Sequence, residues 1–274
     1  MIFDTDMGND VDDPLALDML YKAVDRGEIT LLGILSSKDT EFSPRYIDMM
    51  NTWYGYPEIP VGRVRDGVVL KRDDYALSAS RDFSPQSQGP GLRRSVTLYR
   101  RLLAESPDSS VVVVSVGFST NLGRLLESRG DRYSPLDGIE LVKRKVKSCS
   151  VMGGSFGDKP RAEYNIVNDI PNAKRLFALC PVPVAVVSLE LGKTVNYPSQ
   201  HRNRFCVGRK APDGRGLQSL PQDALRPSYM GHDVGAVCPA SRNVRVSEPG
   251  IICVDDQDTP ISRRRRAESI RCSP

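Results

Sequence analysis

Five aspartates lie within ten residues of one another in the stretch IFDTDMGNDVDDPLAL, positions 2–17: Asp4, Asp6, Asp10, Asp12 and Asp13. Helix capping accounts for one or two of them, because acidic residues in a first turn complement the helix dipole. Five carboxylates repel one another, which raises their pKa values and costs stability unless a cation is bound. Because carboxylate oxygens are hard ligands that select Ca²⁺ or Mg²⁺ rather than zinc, the cluster predicts a metal site.

Two other acidic motifs compete with this interpretation. An EF-hand loop that starts at Asp4 would need Gly at its sixth position and Glu at its twelfth. Those positions hold Asn9 and Leu15, so the chain does not fit an EF-hand. A phosphotransferase of the haloacid dehalogenase type also begins with a strand and an Asp-x-Asp, and IFDTDMG is compatible with that start.

Short apolar runs that alternate with helix-like stretches set the framework for these residues. The runs are MIF, ITLLGILSS (29–37), VVVVSVGF (111–118), CSVMGG (149–154) and PVPVAVVSLEL (181–191). Continuous apolar runs are typical of strands buried on both faces. Helical spacing of apolar residues predicts helices over Pro14 to Asp25 and over SPRYIDMMNTWYGY, TNLGRLLES and NDIPNAKRLFAL. The alternation predicts an α/β fold with a mostly parallel sheet flanked by helices, an open Rossmann-like sheet.

Parallel sheets bind ligands beyond the carboxyl ends of their strands. The aspartates follow the first run, GFSTN completes the third, and GGSFGDKPRAEYN follows the fourth. These three polar loops are therefore expected to converge at one edge of the sheet.

Composition limits the classes of function. The 274 residues are 39% hydrophobic and 26% charged, as in a soluble globular protein, and no apolar run approaches a membrane span. Residues 201–274 hold 13 Lys+Arg against 8 Asp+Glu, and residues 1–200 hold 25 against 26, so the net charge of +4 belongs to the tail. A basic functional face on the main body, and with it nucleic-acid binding, is not supported. The six cysteines form no CxxC pair, which favours isolated thiols in a reduced compartment and hence the cytoplasm. An N-terminal leader that precedes Met1 is the alternative.

Three ordered segments resemble the inosine-uridine preferring nucleoside hydrolase family. DTDMGNDVDDPLAL is similar to the signature Asp-Thr-Asp-Pro-Gly-x-Asp-Asp-Ala-x-Ala, with Met7 at the proline, Pro14 at an alanine and two extra residues before the last Asp pair. VVSVGFSTNLGRLL is similar to the strand that ends in Gly-Pro-Leu-Thr-Asn. SVMGGSFGDKPRAEYNIVNDIPNAKRLF is similar to the Met-Gly-Gly, Glu-Phe-Asn and Asp-x-x-Ala segments. Three motifs in order are more specific than one acidic loop, which makes the phosphotransferase a distant alternative.

The resemblance implies a hydrolase that cleaves the N-glycosidic bond of a ribonucleoside to ribose and free base, using water bound to Ca²⁺. It implies that Asp6 binds calcium and takes a proton from the water, that Asp12 binds the ribose hydroxyls, and that Asp13 is the main calcium ligand. The other implied residues are the carbonyl of Thr120 and Asp233 for the metal, Met152, Glu163 and Asn165 for the sugar, and His232 as the acid that protonates the base. Asp10 lies in the extra two-residue stretch, and it is a further candidate metal ligand or shares the binding of ribose. Lys38 and Asp39 stand where the family often has a sugar-binding Asn, so one ribose contact departs from the pattern.

The resemblance weakens towards the end of the chain. We expect residues 1–200 to form the α/β core, and residues 201–274 to be a divergent, poorly ordered part of the same domain or to reflect a local reading-frame error. VSEPGIICVDD (246–256) still resembles the family's late strand. Because His232 and Asp233 fall in this region, a catalytically impaired nucleoside-binding relative is the second hypothesis. The expected partner is a small ribonucleoside, with no nucleic acid or membrane, and the family implies a homodimer or homotetramer.

Overall fold

The computed structural model describes residues 1–8, 11–69, 75–80, 93–194, 247, 249–254 and 262–264. Its strands are β1 (Ile2–Thr5), β2 (Gly33–Lys38), β3 (Val61–Val68), β4 (Arg93–Arg94), β5 (Val111–Ser115), β6 (Val146–Met152), β7 (Val184–Val187), β8 (Ile251–Cys253) and β9 (Ser262–Arg264). The first seven form one parallel sheet in the order β4-β3-β2-β1-β5-β6-β7, and β8 pairs with β9 in an antiparallel ribbon. The expected α/β fold with a parallel sheet is confirmed.

Helices connect the strands and cover both faces of the sheet. They are α1 (Asp12–Asp25), α2 (Phe42–Tyr54), α3 (Tyr75–Ser80), α4 (Ser95–Glu105), α5 (Thr120–Leu126), α6 (Gly138–Lys145), α7 (Tyr164–Val167), α8 (Ile170–Leu179) and α9 (Leu189–Gly192). Side chains alternate between the faces of a strand. Ile2 accordingly packs with α4, α5, α6 and α8, whereas Phe3 packs with α1, α2 and α3. The central strand is thus buried on both sides.

The first helix shows how the sequence fixes the position of the acidic residues. Asp12 and Asp13 open α1, and Pro14 follows in the first turn, where its missing N–H costs no hydrogen bond. Gly27 ends the helical region with a φ of 69°, a left-handed conformation that glycine adopts without strain. The predicted end of this helix at Asp25 is confirmed, and the helix presents its N-terminus at the carboxyl edge of the sheet.

The C-terminal predictions are tested only in part. Asp10, His232 and Asp233 lie outside the described residues, as does most of the segment 201–274. The late strand expected within 246–256 is present as β8. Cys149 and Cys180 are buried free thiols and Cys253 is an exposed one. None of the helices in the described ranges has the length and apolar character of a membrane span.

Candidate active site

The acidic loop lies at the carboxyl end of the central strand. Asp6 follows the last residue of β1 and its side chain is buried. Asp12 and Asp13 are buried in the first turn of α1, where the helix dipole favours negative charge. Three buried carboxyl groups of the predicted site therefore stand at one edge of the sheet.

The loop after β5 packs directly against the loop after β1 at Gly117. A Cβ atom on Gly117 would lie 2.3 Å from the main-chain nitrogen of Asp6 and 2.6 Å from the Oγ of Ser37. The main-chain N–H of Phe118 donates to the same Ser37 Oγ at 3.1 Å. Only glycine permits this approach, so the loops after β1 and β5 converge as the motifs predicted, and the end of β2 lies against them.

Asn165 joins the segment after β6 to this group. Its Nδ2 donates to the carbonyl oxygen of Val116 at 2.9 Å and contacts the Sδ of Met152 at 3.3 Å. Asn165 and Met152 are both buried. The structure thus brings together the end of β5, the end of β6 and α7, which carry three of the motif segments.

Glu163 organises the polypeptide around Asn165. It is the N-cap of α7, and its carboxylate accepts main-chain N–H groups of Asn165 at 3.0 Å, Ile166 at 3.1 Å and Gly154 at 3.2 Å. Burial raises the pKa of Glu163, and these hydrogen bonds oppose that rise. Because two carboxylate oxygens offer about four acceptor positions, the same group can also accept a sugar hydroxyl.

Thr120 begins α5, and its neighbourhood is fixed from α8. The Thr120 hydroxyl donates to Asp169, which caps α8 and accepts Nδ2 of Asn172 at 2.9 Å with each carboxylate oxygen. Ser119 occupies the N-cap position of α5 and makes no side-chain cap bond. The first turn of α5 is instead held by this contact between helices.

Asp4 is a buried carboxyl group for which the sequence indicated no separate role. Its side chain is fully buried and accepts the hydroxyl of Tyr99 and the Nδ2 of Asn121, both at 3.0 Å. Burial raises its pKa to about 7 in spite of these hydrogen bonds. Asn121 belongs to the GFSTN motif and could have been suspected, but nothing in the sequence marks Tyr99. Asp4 thus ties β1 to α4 and α5.

Lys38, the last residue of β2, brings a positive charge to this edge of the sheet. Its side chain is only 1% exposed. A buried ammonium group is costly unless negative charge or hydrogen bonds compensate it. The departure from the sugar-binding Asn of the family therefore changes the electrostatics of the edge as well as one contact.

The loop after β6 is anchored at a second point by Glu190 of α9. The Glu190 carboxylate accepts the Ser155 hydroxyl at 2.5 Å and the main-chain N–H groups of Phe156 at 3.1 Å and Gly157 at 3.2 Å. Burial alone would raise the pKa of Glu190, but the hydrogen bonds from Ser155 and from the main chain lower it to about 2. Glu163 and Glu190 thus both hold the first residues of this loop, at Gly154 and at 155–157.

The donor chemistry of the edge fits a hard divalent cation. The carboxylates of Asp6 and Asp13 and the carbonyl of Thr120 are oxygen donors, as Ca²⁺ requires. In the part of the chain that the structure describes, no three acidic, His or Cys side chains form a metal-binding group. Asp10 and Asp233, the other carboxylate residues of the implied ligand set, lie outside the described residues.

Solved structures of nucleoside hydrolases and of a type III effector have a fold similar to that of this chain. A plant nucleoside hydrolase, PpNRh1, aligns with a TM-score of 0.64 at 18% identity, over 96% of this chain and 86% of that one. The inosine-uridine preferring nucleoside hydrolase from Bacillus anthracis aligns with a TM-score of 0.61 at 16% identity, over 86% and 79%. The type III effector XopQ, solved with adenosine diphosphate ribose, aligns with a TM-score of 0.55 at 18% identity, over 79% and 62%. These TM-scores establish a shared fold.

The sequence itself carries the family assignment. No curated protein sequence gives a significant match to the chain. The sequence model of one family, described as inosine-uridine preferring nucleoside hydrolase, matches residues 1–234. This match spans the acidic loop, Thr120 and the Glu163–Asn165 segment. The chain therefore belongs to the inosine-uridine preferring nucleoside hydrolase family.

Proposed function

We propose that the protein hydrolyses the N-glycosidic bond of ribonucleosides to ribose and free base, with Ca²⁺ as its metal. The observation that carries the proposal is the close approach at Gly117, which brings the loop after β5 against Asp6. Asn165 extends the same group to Met152. The buried oxygen and amide groups that surround this point are those that a sugar and a hard cation need.

Each described site residue has a task in this reaction. Asp6 accepts a proton from the attacking water, and Asp12 binds the ribose hydroxyls. Glu163 and Asn165 hold further hydroxyls from the opposite side, and Met152 supplies an apolar wall. Cleavage passes through a sugar with oxocarbenium character, whose positive charge is stabilised by buried carboxylates.

Asp6, Asp13 and the carbonyl of Thr120 would hold the calcium ion, together with Asp10 and Asp233. A bound Ca²⁺ supplies a Lewis acid that lowers the pKa of a water ligand and orients the ribose diol. If each gives one oxygen, four carboxylates and one carbonyl would supply five of the six to eight oxygen ligands that Ca²⁺ takes, and water and sugar hydroxyls would complete its coordination.

The leaving base has to be protonated, and His232 remains the predicted acid. General acid catalysis of this kind contributes about 10²- to 10⁴-fold. Release of reducing sugar from inosine and uridine would depend on that acid. Release from p-nitrophenyl riboside would depend on it far less, because p-nitrophenolate is a good leaving group.

The test combines turnover with metal binding. We expect Asp13→Asn to weaken calcium binding, measured by calorimetry, by at least about tenfold and to abolish sugar release. Asp25→Asn is the matched control, since Asp25 is exposed at the other end of the same helix. It should bind calcium as the wild-type chain does. Failure to hydrolyse even p-nitrophenyl riboside in the presence of calcium would refute the hydrolase proposal.

A nucleoside-binding relative without turnover is the second candidate. It is favoured by Lys38, a buried cation where the family often has a sugar-binding Asn. Calorimetry with inosine separates the two candidates. Binding with no sugar released from any of the three substrates identifies the binding protein, and sugar release that chelation of calcium stops identifies the hydrolase.

A further inference from the structure

A second candidate site lies away from the acidic loop, on the other side of β2. An open pocket of about 370 Å³ is lined by residues of β3 and β4: Arg63, Arg65, Asp66, Arg93 and Arg94. We call it the arginine pocket. Its lining holds four arginines and one aspartate, a surplus of three positive charges. The near-neutral net charge of residues 1–200 does not reveal this local cluster.

The charges of the arginine pocket are not compensated within the described part of the chain. None of its four arginines forms an ion pair there. The Nε atoms of Arg63 and Arg93 are buried without a hydrogen-bond partner, and Arg93 uses one Nη to contact the Tyr133 hydroxyl at 3.1 Å. Arg100, by contrast, forms an ion pair with Asp131 at 3.0 Å and donates to two main-chain carbonyls.

Clustered guanidinium groups repel one another unless an anion lies between them. Phosphate suits them best, because its oxygens accept bidentate hydrogen bonds from the planar guanidinium fork. Helix α4 begins at Ser95, directly after Arg94, and has no side-chain cap. Its first N–H groups add positive potential at the same place. A dianion offsets this charge better than a single carboxylate does.

The wall of the pocket is held in a fixed shape. Asp66 has a φ of 55°, in the left-handed region that a residue other than glycine adopts only at a cost. Arg124 of α5 donates to the carbonyl oxygens of Arg65, at 2.6 Å, and of Asp66. The main-chain N–H of Gly67 donates to Asp39 at 3.1 Å. These contacts restrict the pocket before any ligand binds.

The pocket is aligned with the candidate active site across the sheet. Thr5, which precedes Asp6, pairs with Ser36, Ser36 pairs with Arg63, and Arg63 pairs with Arg94. At 4.7–4.9 Å per strand, the main chain of Arg63 lies about 10 Å from Thr5, and that of Arg94 about 14 Å.

We propose that the arginine pocket binds a phosphate group, supplied either by inorganic phosphate or by a ribosyl phosphate compound whose sugar lies against Asp6. The second source rests on the proposed function, and the first does not. In both cases the guanidinium groups of Arg63 and Arg93 provide the buried donors, and the exposed Arg65 and Arg94 add charge at the rim.

The first experiment measures binding of inorganic phosphate by calorimetry. We expect millimolar or tighter binding to the wild-type chain, weakened roughly tenfold or more by Arg63→Gln. Arg65→Gln is the second variant, because its exposed side chain is not needed for folding, and it should weaken binding several-fold. Arg129→Gln, an exposed arginine outside the pocket, removes the same charge and should change nothing. No binding to the wild-type chain, or equal weakening by Arg65→Gln and Arg129→Gln, would overturn the proposal.

The second experiment identifies the source of the phosphate. Sugar release is measured with inosine, inosine 5′-monophosphate and adenosine diphosphate ribose. If Arg65→Gln lowers kcat/KM for a phosphorylated compound and leaves inosine unchanged, the phosphate belongs to the substrate. If it weakens only the binding of inorganic phosphate, the pocket takes free phosphate. Inosine hydrolysis without phosphate binding would refute only the proposed phosphate site. Phosphate binding without hydrolysis of any compound would refute only the proposed function.

Discussion

Replacing Glu190 by glutamine should loosen the loop after β6. The carboxylate accepts the Ser155 hydroxyl and the N–H groups of Phe156 and Gly157. Glutamine keeps one acceptor oxygen and turns the other into a donor. At least one of the two main-chain N–H groups would then face an NH₂ group, so that part of the loop loses its hydrogen bond.

The size of the effect follows from the pKa of Glu190, which falls from 4.5 to about 2 on folding. At about 1.4 kcal/mol per pKa unit, this corresponds to at most about 3 kcal/mol. The side chain is partly exposed, and solvent screening reduces the expected loss to about 1 kcal/mol. Because the folded pKa is the lower one, the stabilisation is present above pH 4.5 and is lost as the pH falls towards 2.

The assay compares urea unfolding of the wild-type chain and Glu190→Gln at about pH 7 and about pH 3, together with hydrogen exchange of the Phe156 and Gly157 amides. We expect a difference in unfolding free energy near neutral pH that shrinks at the lower pH, and faster exchange of both amides. Asp137→Asn is the control, since Asp137 caps α6 by accepting the N–H of Glu140 at 2.9 Å and does not contact the loop. Unchanged exchange with equal unfolding free energy at neutral pH would refute the reasoning.

Two further substitutions test the packing around the site. Gly117→Ala should lower the free energy of unfolding in urea by more than about 3 kcal/mol, because the new Cβ atom would overlap main-chain atoms. Gly157→Ala is its control and should lower that free energy far less, because its Cβ atom would meet only the side chain of Glu190. Tyr99→Phe should lower the free energy of unfolding by about 1–3 kcal/mol by removing a buried hydrogen bond to Asp4, and an unchanged urea midpoint would contradict this role.

The apolar runs predicted β1, β2, β5, β6 and β7, and they did not reveal β3 and β4. Strand β5, whose run of valines pairs on both sides, was predictable because central parallel strands need apolar residues on both faces. Strand β3 carries Arg63, Arg65 and Asp66, and these charges obscure its strand character. Pairing with β2 and β4 makes it a strand, and such tertiary pairing cannot be read from local composition.

Residues of the proposed site could be assigned from the sequence where short motifs carry them. Asp6, Asp13 and Asn165 follow strand ends in segments that resemble those of the family. The contact of Tyr99 with Asp4 joins residues 95 positions apart, and no local pattern marks such a pair. The arginine pocket also joins residues that are distant in the sequence. A net charge is summed over the whole chain segment, so it does not reveal that four arginines line one pocket.

The place of β1 in the sheet also constrains how the chain folds during synthesis. Ile2 pairs with Gly33 of β2 and with Val113 of β5. The second pairing closes a loop of more than one hundred residues, whose entropy cost must be met before the contact contributes stability. Until Val113 has left the ribosome, one side of β1 is an open strand edge, the kind of surface that promotes aggregation. The loop that carries Asp6 reaches its folded arrangement only when the later half of the sheet joins the earlier one.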